Sequence, residues 1–245
     1  MQKLAVIAIA GLTLSAVCFG GVAAVGAAQG FKEGGLAGLD FAMFGNRPRC
    51  EAGSATATSR DIPWDGSDRV GLALGGQAFY TPGAGDRVHV TGDPALVAHV
   101  RVKNGTIKLD CRGWGDESRD LRITLPGREF RKFGIAGSGK LTLQKLNQDR
   151  LKLSIAGSGS ILADGAVDNV EVHIAGSGDA DLGRVSGRRA EVHIAGSGNT
   201  DIAPRDEADI HIAGSGDVNL HSNPRNLNTK IAGSGRIHNI SPGGI

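Results

Sequence analysis

Three histidines that share one position in a repeated segment are the first candidates for chemistry. Each follows a carboxylate residue by two positions, which places both side chains on the same face of an extended strand. The six residues are His173, His193, His211, Glu171, Glu191 and Asp209. Imidazole and carboxylate groups bind zinc or copper, and a row of imidazoles can also respond to pH. The alternative is an ordinary outward face with paired charges, because the spacing alone gives no closed set of three or four ligands.

A second row of oxygen ligands follows the same repeated segment. It contains Asp179, Asp181, Asp201 and Asp217. Carboxylate oxygens suit calcium. The calcium-binding solenoid repeat, however, has a period of nine residues, and this chain does not follow it. A hydrated polar surface is the alternative to a calcium site.

Other catalytic patterns are incomplete. The segment 134–140 is similar to a phosphate-binding loop, but Leu141 stands where Ser or Thr must hold the metal ion. The repeated Gly-Ser-Gly has the wrong spacing for a nucleophile elbow. Trp64, Tyr80 and Trp114, which could stack on sugars, all precede the repeats. We therefore predict a protein that is not an enzyme and has no cofactor, and a carbohydrate-active β-helix enzyme remains a second alternative.

The sequence Ile-Ala-Gly-Ser-Gly positions these side chains. It occurs six times, from Ile135 to Ile231, at steps of 20, 19, 20, 18 and 19 residues. Such a period is typical of repeat architectures whose units stack on one another. Glycine on both sides of serine permits a tight corner with close approach of neighbouring coils. The corner residues are Gly137, Ser138, Gly139, Gly157, Ser158, Gly159, Gly176, Ser177, Gly178, Gly196, Ser197, Gly198, Gly214, Ser215, Gly216, Gly233, Ser234 and Gly235.

Apolar and polar residues alternate on both sides of each corner. Val172 and Ile174 alternate with polar residues before the third corner, and Ala180 and Leu182 do so after it. A period of two is typical of half-buried strands, so two short strands flank each corner. We predict an all-β fold, a single-stranded parallel β-helix (β-solenoid) with about 19–20 residues per coil, whose six repeats occupy residues 135–245.

The N-terminal segment has the layout of an export signal. Lys3 is followed by an uncharged stretch that extends to residue 31 and becomes rich in Gly and Ala. We predict a signal peptide at residues 1–28. The alternative is an uncleaved membrane anchor, because the uncharged stretch is long enough to span a bilayer.

The segments between the signal and the repeats are less regular. Residues 29–59 are small and polar and read as a flexible linker. Short alternating runs and a tight-turn signal at Asn104-Gly105 predict irregular coils over residues 60–134 that cap the solenoid. Cys50 and Cys111 remain after removal of the signal, and an exported chain favours a disulfide between them over two unpaired thiols.

The charge of the chain is nearly balanced, with a formal net charge of +2. Nucleic-acid binding needs a marked basic footprint, so we predict no nucleic-acid partner. A local basic cluster contains Arg119, Arg122, Arg128, Arg131 and Lys132. We interpret it as a solvated face, with contact to an anionic glycan or lipid as the alternative.

The combination resembles a known bacterial family. An export signal is followed by segments 86–93, 103–107 and 121–126, and then by the Gly-Ser-Gly repeats. This order looks like the family of putative auto-transporter adhesins with a head GIN domain, over about residues 60–240. The resemblance implies a β-helical envelope domain and brings no catalytic residues. One departure is that we see no translocator barrel after residue 240.

The functional expectation is an exported, adhesin-like binding domain in the periplasm or at the cell surface. Its ligand would be an unidentified envelope or surface molecule, such as a glycan. Solenoids commonly bind along extended faces of this kind. The first alternative is a structural envelope protein that self-associates end to end, because uncapped sheet edges favour pairing. Membrane anchoring through the N-terminal segment is the alternative to release.

Overall fold

The structure is a computed structural model that describes Cys50, residues 57–111 and residues 120–240. The predicted signal peptide or anchor, most of the predicted linker, Trp114, Arg119 and residues 241–245 lie outside the described residues. In the described part of the chain the only helix is α1 (Pro94–Val97), and no helix there has the length and hydropathy to cross a membrane.

Sixteen strands make up nearly all regular structure in the described residues. They are β1 (Ser59–Pro63), β2 (Arg69–Ala73), β3 (Gln77–Tyr80), β4 (Arg87–Thr91), β5 (Val100–Lys103), β6 (Thr106–Leu109), β7 (Arg122–Thr124), β8 (Lys132–Gly137), β9 (Lys140–Gly157), β10 (Ser160–Gly176), β11 (Asp179–Gly196), β12 (Thr200–Ile202), β13 (Pro204–Gly214), β14 (Asp217–Leu220), β15 (Asn226–Gly233) and β16 (Arg236–Asn239).

The regular coils begin at β8 and stack in parallel. β10 pairs with β9 on one side and with β11 on the other, so that Ile174 lies opposite Ile155 and Ile194. The series continues from β11 to β13 and β15 along one side, and through β12, β14 and β16 along another. The predicted all-β parallel solenoid is therefore confirmed.

Three of the regular coils are more continuous than the sequence predicts. β9, β10 and β11 are 18, 17 and 18 residues long and run almost once around the solenoid. The strands bend without ending, with positive φ angles of 54° at Lys145 and 126° at Gly165. Strand pairing resumes directly after the bend, where Gly165 lies opposite Leu146 and Val185 in the adjacent coils. In these three coils two strands per repeat thus become one bent strand, whereas the later coils consist of separate shorter strands.

The inward columns form one apolar core. Ile135, Ile155, Ile174, Ile194 and Ile212 are at most 2% exposed. Burial of an isoleucine side chain contributes about 1.5–3 kcal/mol, so this column is a main source of stability. One coil encloses too little volume to bury its own side chains, and each isoleucine is covered by the coils on both sides.

The N-terminal region formed by β1 to β7 is called the head. Its coils stack in an order that differs from their order in the chain. The coil formed by β2 and β3 pairs in parallel with β8 and β9 on one side. On its other side it pairs in parallel with β6 and β7, which come later in the sequence. The coil of residues 69–80 is therefore enclosed between two segments that follow it.

Antiparallel strands close the outer end of the head. β5 pairs with β6, β4 pairs with β7, and β1 pairs with β4, all antiparallel. Asn104 and Gly105, with φ angles of 52° and 72°, form the tight turn between β5 and β6, which confirms the predicted turn. The irregular end is thus an antiparallel layer placed on a parallel solenoid.

Aromatic rings and a disulfide hold the head together. Trp64 and Tyr80 each contact Phe130 edge to face, with centroids 5.3 and 5.6 Å apart. Trp64 and Tyr80 are 9% and 1% exposed, so neither can stack on a sugar. Cys50 and Cys111 form a disulfide with Cα atoms 4.9 Å apart, which ties Cys50 to the end of β6.

Candidate functional site: the histidine face

The candidate site is the outward surface of the strand arms that lead into the glycine corner. We call this surface the histidine face. It comprises a column of charged residues, a column that contains the three histidines, and a column of alanines. Its members are Lys152, Glu171, Glu191, Asp209, Ser154, His173, His193, His211, Ala156, Ala175, Ala195 and Ala213.

The three histidines form a stack along the solenoid. Parallel pairing places His173 opposite His193 and His193 opposite His211. The ring centroids of each pair are 4.9 Å apart, with interplanar angles of 4° and 31°. This distance is close to the strand spacing of about 4.8 Å, so the backbone register sets the stack.

Each imidazole contacts the carboxylate two residues earlier on its own coil. Nε2 of His193 lies 2.7 Å from Oε1 of Glu191. Nε2 of His211 lies 2.8 Å from Oδ1 of Asp209. Both contacts follow from the period of two in a strand, which puts the two side chains on the same side. The face therefore presents hydrogen-bonded carboxylate–histidine pairs rather than free imidazoles.

The pair on the third repeat is extended by a lysine from the preceding coil. Glu171 Oε1 lies 2.5 Å from Nε2 of His173 and accepts a hydrogen bond of 2.6 Å from Nζ of Lys152. The hydrogen bond from His173, followed by the hydrogen bond and charge of Lys152, lowers the pKa of Glu171 to about 2 against the effect of its burial. His173 is 8% exposed, because the stacked side chains of neighbouring coils cover it.

The described residues do not bring the histidine face together as a metal centre. Across Cys50, residues 57–111 and residues 120–240, only His99, Asp110 and Cys111 place three such ligand atoms within 4.8 Å of one another. Cys111 is in the disulfide, and Asp110 already contacts His99 and Arg101 at 2.7 and 2.8 Å. Neither group has the free, convergent ligands that a zinc site needs.

The acidic row predicted for calcium links one coil to the next. Oδ1 of Asp179 accepts hydrogen bonds from the backbone N–H and the side-chain amide of Asn199, at 3.0 and 3.1 Å. Asp217 in turn accepts from the backbone N–H and the guanidinium of Arg236, and these contacts hold its pKa below the ordinary value. Asp179 and Asp217 thus bind the backbone N–H groups that directly follow the glycine corner of the next coil.

The other two carboxylates of this row have different partners. Asp201 contacts Nε2 of His221 at 2.8 Å and accepts a hydrogen bond from the amide of Asn219 at 3.1 Å. Asp181 accepts a hydrogen bond from the backbone N–H of Gly183 at 3.2 Å. Asp179, Asp201 and Asp217 therefore bridge neighbouring coils, and Asp181 binds within its own coil.

The glycine corner brings adjacent coils into close contact. A Cβ atom on Gly196 would lie 2.1 Å from the carbonyl oxygen of Gly176, and the φ angle of Gly196 is +133°. The carbonyl of Gly176 accepts a hydrogen bond of 2.9 Å from the backbone N–H of Ser197. The six corner serines are all exposed, so the corner adds a row of hydroxyl groups beside the histidine face.

The predicted basic cluster is dispersed over local partners. The guanidinium of Arg122 lies 4.1 Å from the ring centroid of Phe79, and Arg131 pairs with Glu129 at 3.0 Å. Arg128 lies 5.8 Å from the ring centroid of Phe130. These contacts support the interpretation as a solvated face.

A small apolar gap of about 10 Å³ lies near Val170, Val185 and Pro204. That volume is at the lower limit for a single water molecule, so an organic ligand does not fit. The histidine face, in contrast, is exposed or half-buried at Glu191, His193, Asp209 and His211, and is the better candidate for a binding site.

Sequence reasoning missed the lysine at the histidine face and the alanine column. Lys152 precedes Glu171 by 19 residues, which is one repeat, so the period was the signal that could have paired them. The structure places Ala195 and Ala213 on the outward side, where both are exposed.

Solved structures that are similar to this chain come from Bacteroides fragilis and Parabacteroides distasonis. A putative adhesin from Bacteroides fragilis aligns with a TM-score of 0.60 and 19% identity over 74% of this chain and 96% of its own. A putative lipid binding protein from Parabacteroides distasonis aligns with a TM-score of 0.49 and 21% identity over 75% and 97% of the two chains. At such identities the first similarity shows the fold alone. No curated protein matches the chain.

The match to a protein family covers more than half of the chain. The family is described as putative auto-transporter adhesin, head GIN domain, and its matched region runs over residues 68–224. This region contains the coil of β2 and β3, the whole histidine face and the first five glycine corners. The chain therefore belongs to the family of putative auto-transporter adhesins with a head GIN domain.

Proposed function

We propose that the protein is an exported, non-enzymatic binding domain that holds a repeating surface polymer, such as a glycan, along its histidine face. The observation that carries the proposal is the equal spacing of 4.9 Å between the imidazoles of three successive coils. A ligand with its own regular repeat can form the same contact on each coil, so that weak contacts add up.

The chemistry of the face suits a sugar polymer. Carboxylate and imidazole groups accept and donate hydrogen bonds to hydroxyl groups. The exposed Ala195 and Ala213 give a low apolar strip beside them, on which the C–H face of a sugar ring can lie. Family membership supports an adhesive role, and the N-terminal layout of the sequence supports export.

Binding can be tested on a glycan array with the full chain and stepwise variants. His173→Gln, His193→Gln and His211→Gln are introduced singly and together. The changes at the half-buried His193 and His211 should each weaken the signal of the bound glycan by a few-fold, the change at the buried His173 should weaken it least, and the triple variant should lose most of it. Asp168→Asn is the matched control, because Asp168 pairs with Arg188 on another outward surface. Binding that survives in the triple variant would refute the assignment to this face.

Export can be tested separately on intact cells. Protease and labelling accessibility should show the chain outside the cytoplasmic membrane, and sequencing of the mature N-terminus should place a cleavage site near residue 28. A protein that stays shielded in intact cells but is accessible after the outer layer is opened would favour a periplasmic role over surface binding.

A further inference from the structure

The last coil of the solenoid leaves core-type side chains uncovered. In the described residues the exposed large hydrophobic side chains are Leu227, Ile231 and Ile240, at 47%, 44% and 50% exposure. Ile231 lies opposite Ile212, which is 2% exposed in the preceding coil. The side chains are thus of the kind that the solenoid buries, but they are covered from one side only.

The backbone of this coil is also paired from one side only. β15 pairs with β13 and β16 pairs with β14, and no other described strand lies beside either of them. Their outer edges carry N–H and C=O groups that can pair with a further strand. The last coil therefore matches, in both side chains and backbone, the surface that each inner coil presents to the next.

Charge on the histidine face changes at this coil. The positions of Glu207 and Asp209 are occupied on β15 by Asn226 and Asn228. Residues 226–240 contain no Asp or Glu. Carboxylates brought together across an edge repel each other, whereas asparagine amides can donate and accept hydrogen bonds with identical amides. The change removes a repulsion between carboxylates that a second, identical edge would otherwise meet, while Lys230, at the position of His211, keeps a positive charge on this coil.

The described residues at the opposite end of the solenoid offer no matching surface. Its outer strand β1 has five residues, ends at Pro63 and carries the exposed charges of Arg60 and Asp61. Short strands, proline and charge are the features that prevent pairing at a sheet edge. Association through the open end must therefore join two like ends, which gives a closed two-fold dimer and not a fibre.

We propose that two copies of the chain associate tail to tail through the outer edges of β15 and β16. The edge strands of the two copies run antiparallel across a two-fold axis, and Leu227, Ile231 and Ile240 of each copy are covered by the other. β15 and β16 are eight and four residues long, together about 40 Å, and a solenoid layer is about 10 Å across, so the footprint is about 400 Å² per copy. This is smaller than a standard interface, and we expect a reversible dimer.

The test is sedimentation velocity of the full chain from about 1 μM to about 1 mM, a range that covers weak dimers. The expected result is a monomer–dimer equilibrium, and small-angle scattering should show a dimer about twice as long as the monomer. Leu227→Glu and Ile231→Glu should each weaken dimerisation at least tenfold. Ser158→Glu, which places the same charge at an exposed corner on the side of the solenoid, should leave it unchanged.

A conservative variant guards against loss of folding. Asn228→Asp restores the carboxylate of the preceding coil on an exposed position, and we expect it to weaken the dimer several-fold at low salt and less at high salt. A chain that stays monomeric at all concentrations would overturn the proposal. Oligomers that keep growing, or a dimer that persists in Ile231→Glu, would overturn it as well, because each requires another contact surface.

Discussion

Alanine substitutions at the glycine corner can separate two effects on stability, the strain of a positive φ angle and the steric clash between adjacent coils. Gly137 and Gly196 occupy the same position in different repeats, with φ angles of +112° and +133°. A Cβ atom added to Gly137 meets nothing within 4 Å, whereas one added to Gly196 lies 2.1 Å from the carbonyl oxygen of Gly176. Gly137→Ala is therefore the matched control for Gly196→Ala.

The expected magnitudes follow from these contacts. A non-glycine residue in such a backbone conformation costs about 1–3 kcal/mol, and both variants carry this cost. In Gly196→Ala the carbonyl of Gly176 must also move, which breaks its hydrogen bond to the N–H of Ser197, worth about 0.5–1.5 kcal/mol. Overpacking between the two coils adds about 1–3 kcal/mol. We expect Gly196→Ala to lower the free energy of unfolding by about 2–4 kcal/mol more than Gly137→Ala.

Urea unfolding measures the difference when it is followed by two signals. Tryptophan fluorescence reports on the head, where Trp64 is buried, and far-ultraviolet circular dichroism reports on all coils. Coincident transitions with unchanged slope would allow the two free energies to be compared directly. Equal losses in both variants, within about 0.5 kcal/mol, would refute the claim that contact between coils makes glycine necessary here.

Three further changes have defined outcomes. Thr200 carries the only buried side-chain polar atom without a hydrogen-bond partner in the described residues, so Thr200→Val should raise the free energy of unfolding in urea by about 1 kcal/mol. Replacing both cysteines of the Cys50–Cys111 disulfide by alanine should lower the free energy of unfolding by about 3–4 kcal/mol, because the bond closes a loop with a sequence separation of 61 in the unfolded chain. An unchanged free energy of unfolding would mean that the disulfide does not restrict the unfolded chain. The pKa of Glu171 is lowered to about 2 from 4.5, so its ionised form stabilises the fold above about pH 4.5 and this contribution is lost as the pH falls towards 2. Because this side chain is 37% exposed, Glu171→Gln should remove about 1–2 kcal/mol of the acid-dependent loss, as measured by unfolding at pH 6 and pH 2.5.

The regular coils could be predicted because local pattern and tertiary contact coincide in a solenoid. Every position on a coil meets the same position about one repeat away, as Ile174 meets Ile155 and Ile194. Period-two alternation and the recurrence of the motif therefore specify both the strand and its neighbours. The bend inside each strand was not predicted, because Lys145 adopts a positive φ angle without being glycine.

The head and the roles of the acidic residues could not be obtained in this way. Gly71 pairs with Thr106 and with Gly134, and no repeated motif relates these segments. The acidic row has the composition of a calcium site, and only the direction of each side chain shows that Asp179 binds the N–H of Asn199 on the next coil. Such a hydrogen bond depends on how far each coil is displaced from the next, and the amino-acid composition carries no information on that displacement.

The enclosed coil of the head determines the order in which the chain can fold. β2 and β3 find their partners only in later segments, in β6 and β7 up to residue 124 on one side and in β8 and β9 up to residue 143 on the other, so this coil is enclosed only after residue 143 has emerged from the ribosome. Every later coil finds its partner about one repeat behind it, and such local contacts form rapidly. We expect pulsed hydrogen exchange to show the amides of β2, β6 and β8 becoming protected in one slow step, with β10, β11 and β13 following in sequence; protection of β13 before β8 would contradict this order. A nascent chain that ends before β9 thus lacks the strand that completes the enclosed coil. Once β9 has been synthesised, each remaining coil can form on the coil that precedes it.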